Sequence, residues 1–136
     1  MILTDELCDK LCAATYEKSK EVGIDISFAI SDENGLPRVY RRYEEALVLN
    51  ITLVPGKAYT AAITQCKTKD VATCCVEGGS LMSIETNDPK ITLVAGAYPL
   101  FVKGKIAGSI GVDGGTEEED CGIVKYVVSV FEKMTK

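Results

Sequence analysis

The 136-residue chain carries 20 acidic and 15 basic residues, a formal net charge of −5, with 46% hydrophobic and 26% charged residues. That length suits one domain with a core of its own, and the composition excludes a disordered or collagen-like chain. The acidity argues against a nucleic-acid partner, which needs clustered Lys and Arg, and the absence of histidine removes Ser-His-Asp and Cys-His catalysis, HExxH zinc sites and two-histidine iron sites.

In chain order, Thr4 is placed to cap a helix whose first turn holds Asp5 and Glu6. Leu7, Cys8, Leu11, Cys12, Thr15 and Val22 recur on one face of it, and Gly23 ends it. Residues 24–31 alternate Ile24, Ile26, Phe28 and Ile30 with smaller or polar neighbours. Asn34-Gly35 then turns the chain into residues 36–42, which predicts a hairpin. Residues 46–54 read as helix, Pro55-Gly56 as an interruption, and 57–65 as a resumed helix of small residues.

A short helix is expected over 68–76, before Gly78-Gly79. Residues 90–95, 97–102 and 105–113 read as three strands, the last two joined at Lys103-Gly104. Thr116 and Glu119 predict a capping box, followed by an apolar face of Ile123, Val127, Val130, Phe131 and Met134. This order predicts an α/β (α+β) fold, a single domain over residues 1–136 with a five-stranded antiparallel sheet flanked by helices.

No apolar run reaches the roughly 18 residues of a membrane span, and acids at positions 5, 6 and 9 stand where an export signal would be cationic or apolar. A cytoplasmic protein with six reduced thiols is therefore expected, with no membrane partner. Cys8 and Cys12 lie one helical turn apart on the face expected to be buried, which reads as packing. Cys74-Cys75 is a vicinal pair, but C-x-x-C spacing is absent throughout, so no metal site is expected. The glycine-dense stretch 104–115 lacks both G-x-G-x-x-G and G-K-[ST]. It reads either as close approach of another backbone or a ligand, or as an anion site at the last helix, which Glu117, Glu118, Glu119 and Asp120 oppose. Tyr40 to Glu45 gathers arginines and acids at a strand end, either a solvated rim or an anchor for an acidic ligand.

Arg42-Tyr43-Glu44-Glu45-Ala46, the KAYTAA run at 57–62, Gly78-Gly79, Ala97-Tyr98-Pro99-Leu100, and Gly104 to Gly115 followed by Asp120 together resemble the GlcG/HbpS-like family. That family includes the C-terminal domain of PduO-type corrinoid adenosyltransferases. The resemblance implies a profilin-like or Roadblock-like fold, homo-oligomers, and an association with haem binding or degradation or with corrinoid-dependent metabolism in microcompartments. Carried over by position, it implies a ligand pocket lined by Arg42, Glu44, Lys57, Thr60, Tyr98 and Pro99. Histidine ligation of haem has no matching position, and Glu45 stands where the family has glycine, so a haem-binding or haem-degrading alternative requires non-histidine ligation by tyrosine, cysteine or methionine.

Three functions follow as expectations. The first is a non-catalytic protein that binds a small molecule, a tetrapyrrole such as haem or a corrinoid, or an acidic metabolite. The second is an enzyme using Lys57, a glutamate, or a thiolate at Cys74 or Cys75. The third is a multimeric scaffold whose pocket is vestigial. The first is favoured, with no catalytic residue assigned.

Overall fold

A computed structural model describes residues 2–136. The elements are α1 (Asp5–Val22), β1 (Ser27–Asp32), β2 (Pro37–Arg42), α2 (Asn50–Thr64), α3 (Thr68–Cys74), α4 (Ile84–Asn87), β3 (Ala97–Val102), β4 (Lys105–Asp113) and α5 (Glu117–Met134). The strands form one antiparallel sheet in the order β2-β1-β4-β3.

The sheet has four strands where the sequence predicts five. Residues 90–95 join no ladder, and two of their backbone groups are claimed by side chains of α2. The Thr92 amide donates to Thr60 Oγ1 at 2.8 Å, and the Ala95 carbonyl accepts from Lys57 Nζ at 2.8 Å. A segment satisfied in this way has no need of a strand partner.

Helix α2 also departs from expectation. It begins at Asn50, not at Ala46, and runs through Pro55 and Gly56 without a break. Proline deprives the Ile51 carbonyl of its helical donor, and Ile51 is 51% exposed at the first turn, where water can reach that group.

The hairpin turns form as predicted. Gly35 adopts φ +79°, and Asp32 Oδ1 accepts from the amides of Asn34 and Leu36. Lys103 and Gly104 both take positive φ, 51° and 78°, the signature of a type I′ turn. Thr116 accepts from the Glu119 amide while Glu119 accepts from the Thr116 amide, completing the capping box of α5.

The sheet is covered on both faces. On one, Phe28, Ile30, Ile110, Val112 and Leu100 pack against Leu11 of α1 and Ile123, Val127 and Phe131 of α5. Val22 and Met134, expected on these apolar faces, are 38% and 46% exposed near the helix ends. On the other face, Ala29 packs with Val54 and Ala58 of α2. Small residues set this second contact: a Cβ at Gly111 would lie 3.1 Å from the Val54 carbonyl oxygen and 3.2 Å from the Ala58 amide nitrogen. Glycine in β4 therefore brings a helix backbone against the sheet, the first of the two readings of that run.

Candidate functional site

Helix α2 has an inner face and an outer end of different chemistry. On the inner face Lys57 is 0% exposed and donates three hydrogen bonds: to Ala95 O (2.8 Å), Val112 O (2.7 Å) and Asp113 Oδ2 (3.1 Å). An ammonium has three donors, so none is left for a ligand. Asp120, at the start of α5, accepts from the Gly115 amide at 3.0 Å beside Asp113. Burial, with the neighbouring Asp113 charge, pushes its pKa up to about 7, against the pull of the Gly115 amide and the Lys57 charge. One turn from Lys57, buried Thr60 donates to Gly56 O and accepts from Thr92 N.

The outer end of α2 forms one wall of an apolar cleft of ≈ 560 Å³. The hairpin supplies Leu36 and Pro37, α2 and the turn before it supply Leu49, Leu53 and Pro55, and the 89–92 segment closes the far side. The polar groups at this cleft are few. Tyr59 donates to Asp88 Oδ2 at 2.5 Å, which raises the phenol's pKa and lowers that of Asp88. Lys90 Nζ sits 5.7 Å from the centre of the Tyr59 ring.

A second cleft of ≈ 560 Å³ lies between α1 and β2, bordered by Asp9, Cys12, Tyr16, Arg41, Tyr43 and Glu44, with Arg42 at its margin. It is polar and largely self-satisfied. Glu44, at φ +48°, accepts from Tyr16 OH at 2.9 Å and pairs with Lys20 at 3.3 Å, which lowers its pKa. Arg42 Nε donates to the Ala46 carbonyl at 2.7 Å. Burial raises the Cys12 thiol and pushes the Tyr43 phenol up to about 12.

The six residues expected at one pocket are thus divided. Arg42 and Glu44 border the polar cleft; Lys57 and Thr60 lie in the interior behind the apolar one. Tyr98 is buried in the α1/α5 core, with Lys67 Nζ 4.7 Å from its ring centre and burial raising its pKa. Pro99 sits on the edge strand β3, opposite Ser109. The cleft-lining Leu36, Leu49, Leu53 and Tyr59 were not singled out by sequence. A run of uncharged residues from Ala46 to Gly56 is the one signal that pointed there. Among the described residues no group of three or more Cys, Asp and Glu is placed to hold a metal ion, and no helix is long and apolar enough to cross a membrane.

The family model described as haem-degrading protein HbpS-like matches residues 3–129. The chain belongs to this HbpS-like family. An uncharacterized 15.0 kDa protein in the dhaT-dhaS intergenic region of Citrobacter freundii is 28% identical over 126 residues, covering 92% of this chain and 89% of that protein. The corrinoid adenosyltransferase PduO of the same organism is 26% identical over 136 residues, 99% of this chain but 41% of PduO, so this chain spans less than half of that relative. Among solved structures, a PduOC:heme complex superposes with a TM-score of 0.88 at 26% identity, covering 93% of each chain.

HbpS-like membership raises haem as a ligand, and the residues present answer in two parts. The apolar cleft has the volume and lining for a tetrapyrrole-sized ring. It does not offer iron a ligand: it holds no Cys or Met, and its one phenol is committed to Asp88 and made harder to ionise. In the polar cleft, burial keeps Cys12 and Tyr43 protonated. With the Tyr16 hydroxyl donated to Glu44, neither of these two clefts offers iron a free thiolate, thioether or phenolate.

Proposed function

We propose that this HbpS-like chain is a non-catalytic binding protein that holds an apolar, ring-bearing small molecule through its flat faces, without a bond to any metal it carries. The apolar cleft carries this reading: about 560 Å³ walled by Leu36, Leu49, Leu53 and Pro55, with Lys90 at its rim for a carboxylate. Ligand pockets are typically concave, largely apolar and furnished with few polar groups. A tetrapyrrole is the first candidate, since a structural neighbour is a heme complex. A place beside corrinoid-dependent or microcompartment metabolism is supported by the likeness to PduO and to a protein of the dhaT-dhaS region.

Thr60 acts in this reading as a positioning residue, holding the Thr92 backbone at the cleft wall, and Lys57 fixes the same segment further along at Ala95. In a second reading Arg42 anchors an acidic ligand at the polar cleft, favoured by the Arg41 guanidinium that stacks over Tyr43 there, while Glu44 orders the rim through Tyr16 and Lys20. Catalysis has weaker support. Lys57 has no free donor, and burial raises the thiols of Cys8, Cys12, Cys75 and Cys121, which disfavours a reactive thiolate. The chain is proposed to act as a homo-oligomer.

Titration with hemin and with metal-free protoporphyrin IX, followed by absorbance and tryptophan-independent ligand fluorescence, tests the reading. Both are expected to saturate at one per cleft with Kd values within about threefold of each other, because iron contributes no bond. Absence of saturation by either at ~100 μM, or hemin binding more than about 100-fold tighter than the free base, would overturn it.

A further inference from the structure

A run of exposed apolar residues adjoins the apolar cleft. Leu47, Val48 and Leu49 are 66%, 70% and 63% exposed, Ile51 is 51% exposed, and Leu36 across the cleft mouth is 59% exposed. Soluble monomers rarely display contiguous apolar patches beyond a few hundred Å².

The patch is rigid. Arg42 Nε holds the Ala46 carbonyl on one side of the Leu47–Leu49 triplet, and on the other the buried Asn50 donates from Nδ2 to the Asp113 carbonyl at 3.2 Å. Within the turn, the amides of Asn50, Ile51 and Leu53 donate to the carbonyls of Leu47, Val48 and Leu49 at 3.1 Å each. The triplet is held outward by bonds on both sides.

We infer that this patch is the contact between two copies of the chain, and that the second copy roofs the apolar cleft. Charge selects this occupant. Two identical chains of net charge −5 repel, and they meet at least cost where neither carries charge. From Ala46 to Gly56 there is no Asp, Glu, Lys or Arg, the longest such run in the N-terminal half. An anionic membrane would instead require free lysines or arginines flanking the apolar residues, whereas Glu44 and Glu45 offset Arg41 and Arg42 just before this stretch, Arg42 is bonded to the Ala46 carbonyl, and Lys57 is buried after it. A two-fold contact places each patch on its twin. Five large side chains per copy, each more than half exposed, offer on the order of 500 Å², so the pair reaches about the 1,000 Å² at which specific interfaces begin.

This deepens the homo-oligomer reading by naming its surface and does not depend on which ligand fills the cleft. Sedimentation velocity of the full chain without ligand, from ~1 to ~100 μM, is expected to give at least the dimer mass. Val48→Lys with Leu49→Lys, at positions already solvent-exposed, is expected to weaken self-association at least tenfold while retaining the native circular dichroism spectrum. Hydrogen exchange of the wild type supplies an independent measure: amides of residues 47–53 become more protected as concentration rises. A monomeric wild type at ~100 μM overturns both the oligomer and the surface. An oligomer that survives the double substitution, or that protects other amides and not these, overturns the surface alone.

Discussion

Helix α2 joins two regions that break opposite rules. Its inner face buries a lysine, against the usual exclusion of charge from the interior, while the residues at its outer end leave four large hydrophobic side chains, Leu47, Val48, Leu49 and Ile51, in water. The buried lysine is fully bonded, so its chemistry is spent on holding β4, the 92–95 segment and the start of α5 together. The exposed hydrophobics keep more than half of their surface in water. The polar anomaly is bonded as a structural node, and the apolar one is the face we propose to be functional, with the lysine of KAYTAA set behind the cleft.

That contrast can be broken most severely at Lys57. Lys57→Ala leaves two carbonyls and the Asp113–Asp120 pair without their cation, and is expected to destabilise the fold by about 3–5 kcal/mol in urea denaturation. A loss below about 1 kcal/mol would show that the inner face is not the structural node.

The next effect is one of pH. The folded-state pKa of Asp120, about 7, lies above the ordinary aspartate value of 3.8. The folded chain therefore binds a proton that the unfolded chain releases, and this contribution is fully present below pH ~4 and is lost as pH rises through about 7. The groups facing Asp120 are Lys57 of α2 and Asp113 of β4, with Glu117 and Cys121 nearby on α5. Glu44 and Asp88 have lowered pKa values, so their contributions run the other way, present at neutral pH and lost in acid. Asp120→Asn is expected to remove a decline on the order of 1–4 kcal/mol between pH 5 and 8, measured as the pH dependence of urea midpoints. An unchanged slope in the variant would contradict the buried proton.

Two smaller changes sharpen the comparison at the boundary between the regions. Thr60→Val keeps the volume but strips the Thr92 amide of its acceptor, for an expected loss of about 1–2 kcal/mol. Leu53→Asp, in the cleft wall, is expected to alter stability by less than about 1 kcal/mol yet weaken protoporphyrin binding at least tenfold, about 1.4 kcal/mol. Equal effects of Leu53→Asp on stability and binding would dissolve the distinction between the outer end and the inner face.

Much of the architecture was legible because its signals are local. Thr116 with Glu119, Asn34-Gly35 and Lys103-Gly104 each determine a cap or turn within a few residues, and each formed as read. Residues 90–95 misled because β-branched and apolar composition does not reveal whether Thr60 and Lys57, some thirty residues earlier, will claim the backbone. Pro55 misled because its cost depends on solvent reaching one carbonyl of the first turn. The candidate site was least legible of all. Leu36, Leu49, Leu53 and Thr92 come from three separate stretches, and only the fold brings them around one cleft. Lys57 stood out as a functional residue by type, while its three acceptors, the facts that define its role, are backbone and carboxylate oxygens distant in sequence.

The most direct test of the central claim is to map ligand-induced amide shifts by two-dimensional NMR during titration with metal-free protoporphyrin IX. The account predicts shifts concentrated at residues 35–37, 49–59 and 89–92, with the Arg41–Glu44 amides unmoved. Shifts centred on Arg41–Glu44 would contradict it and place the site in the polar cleft.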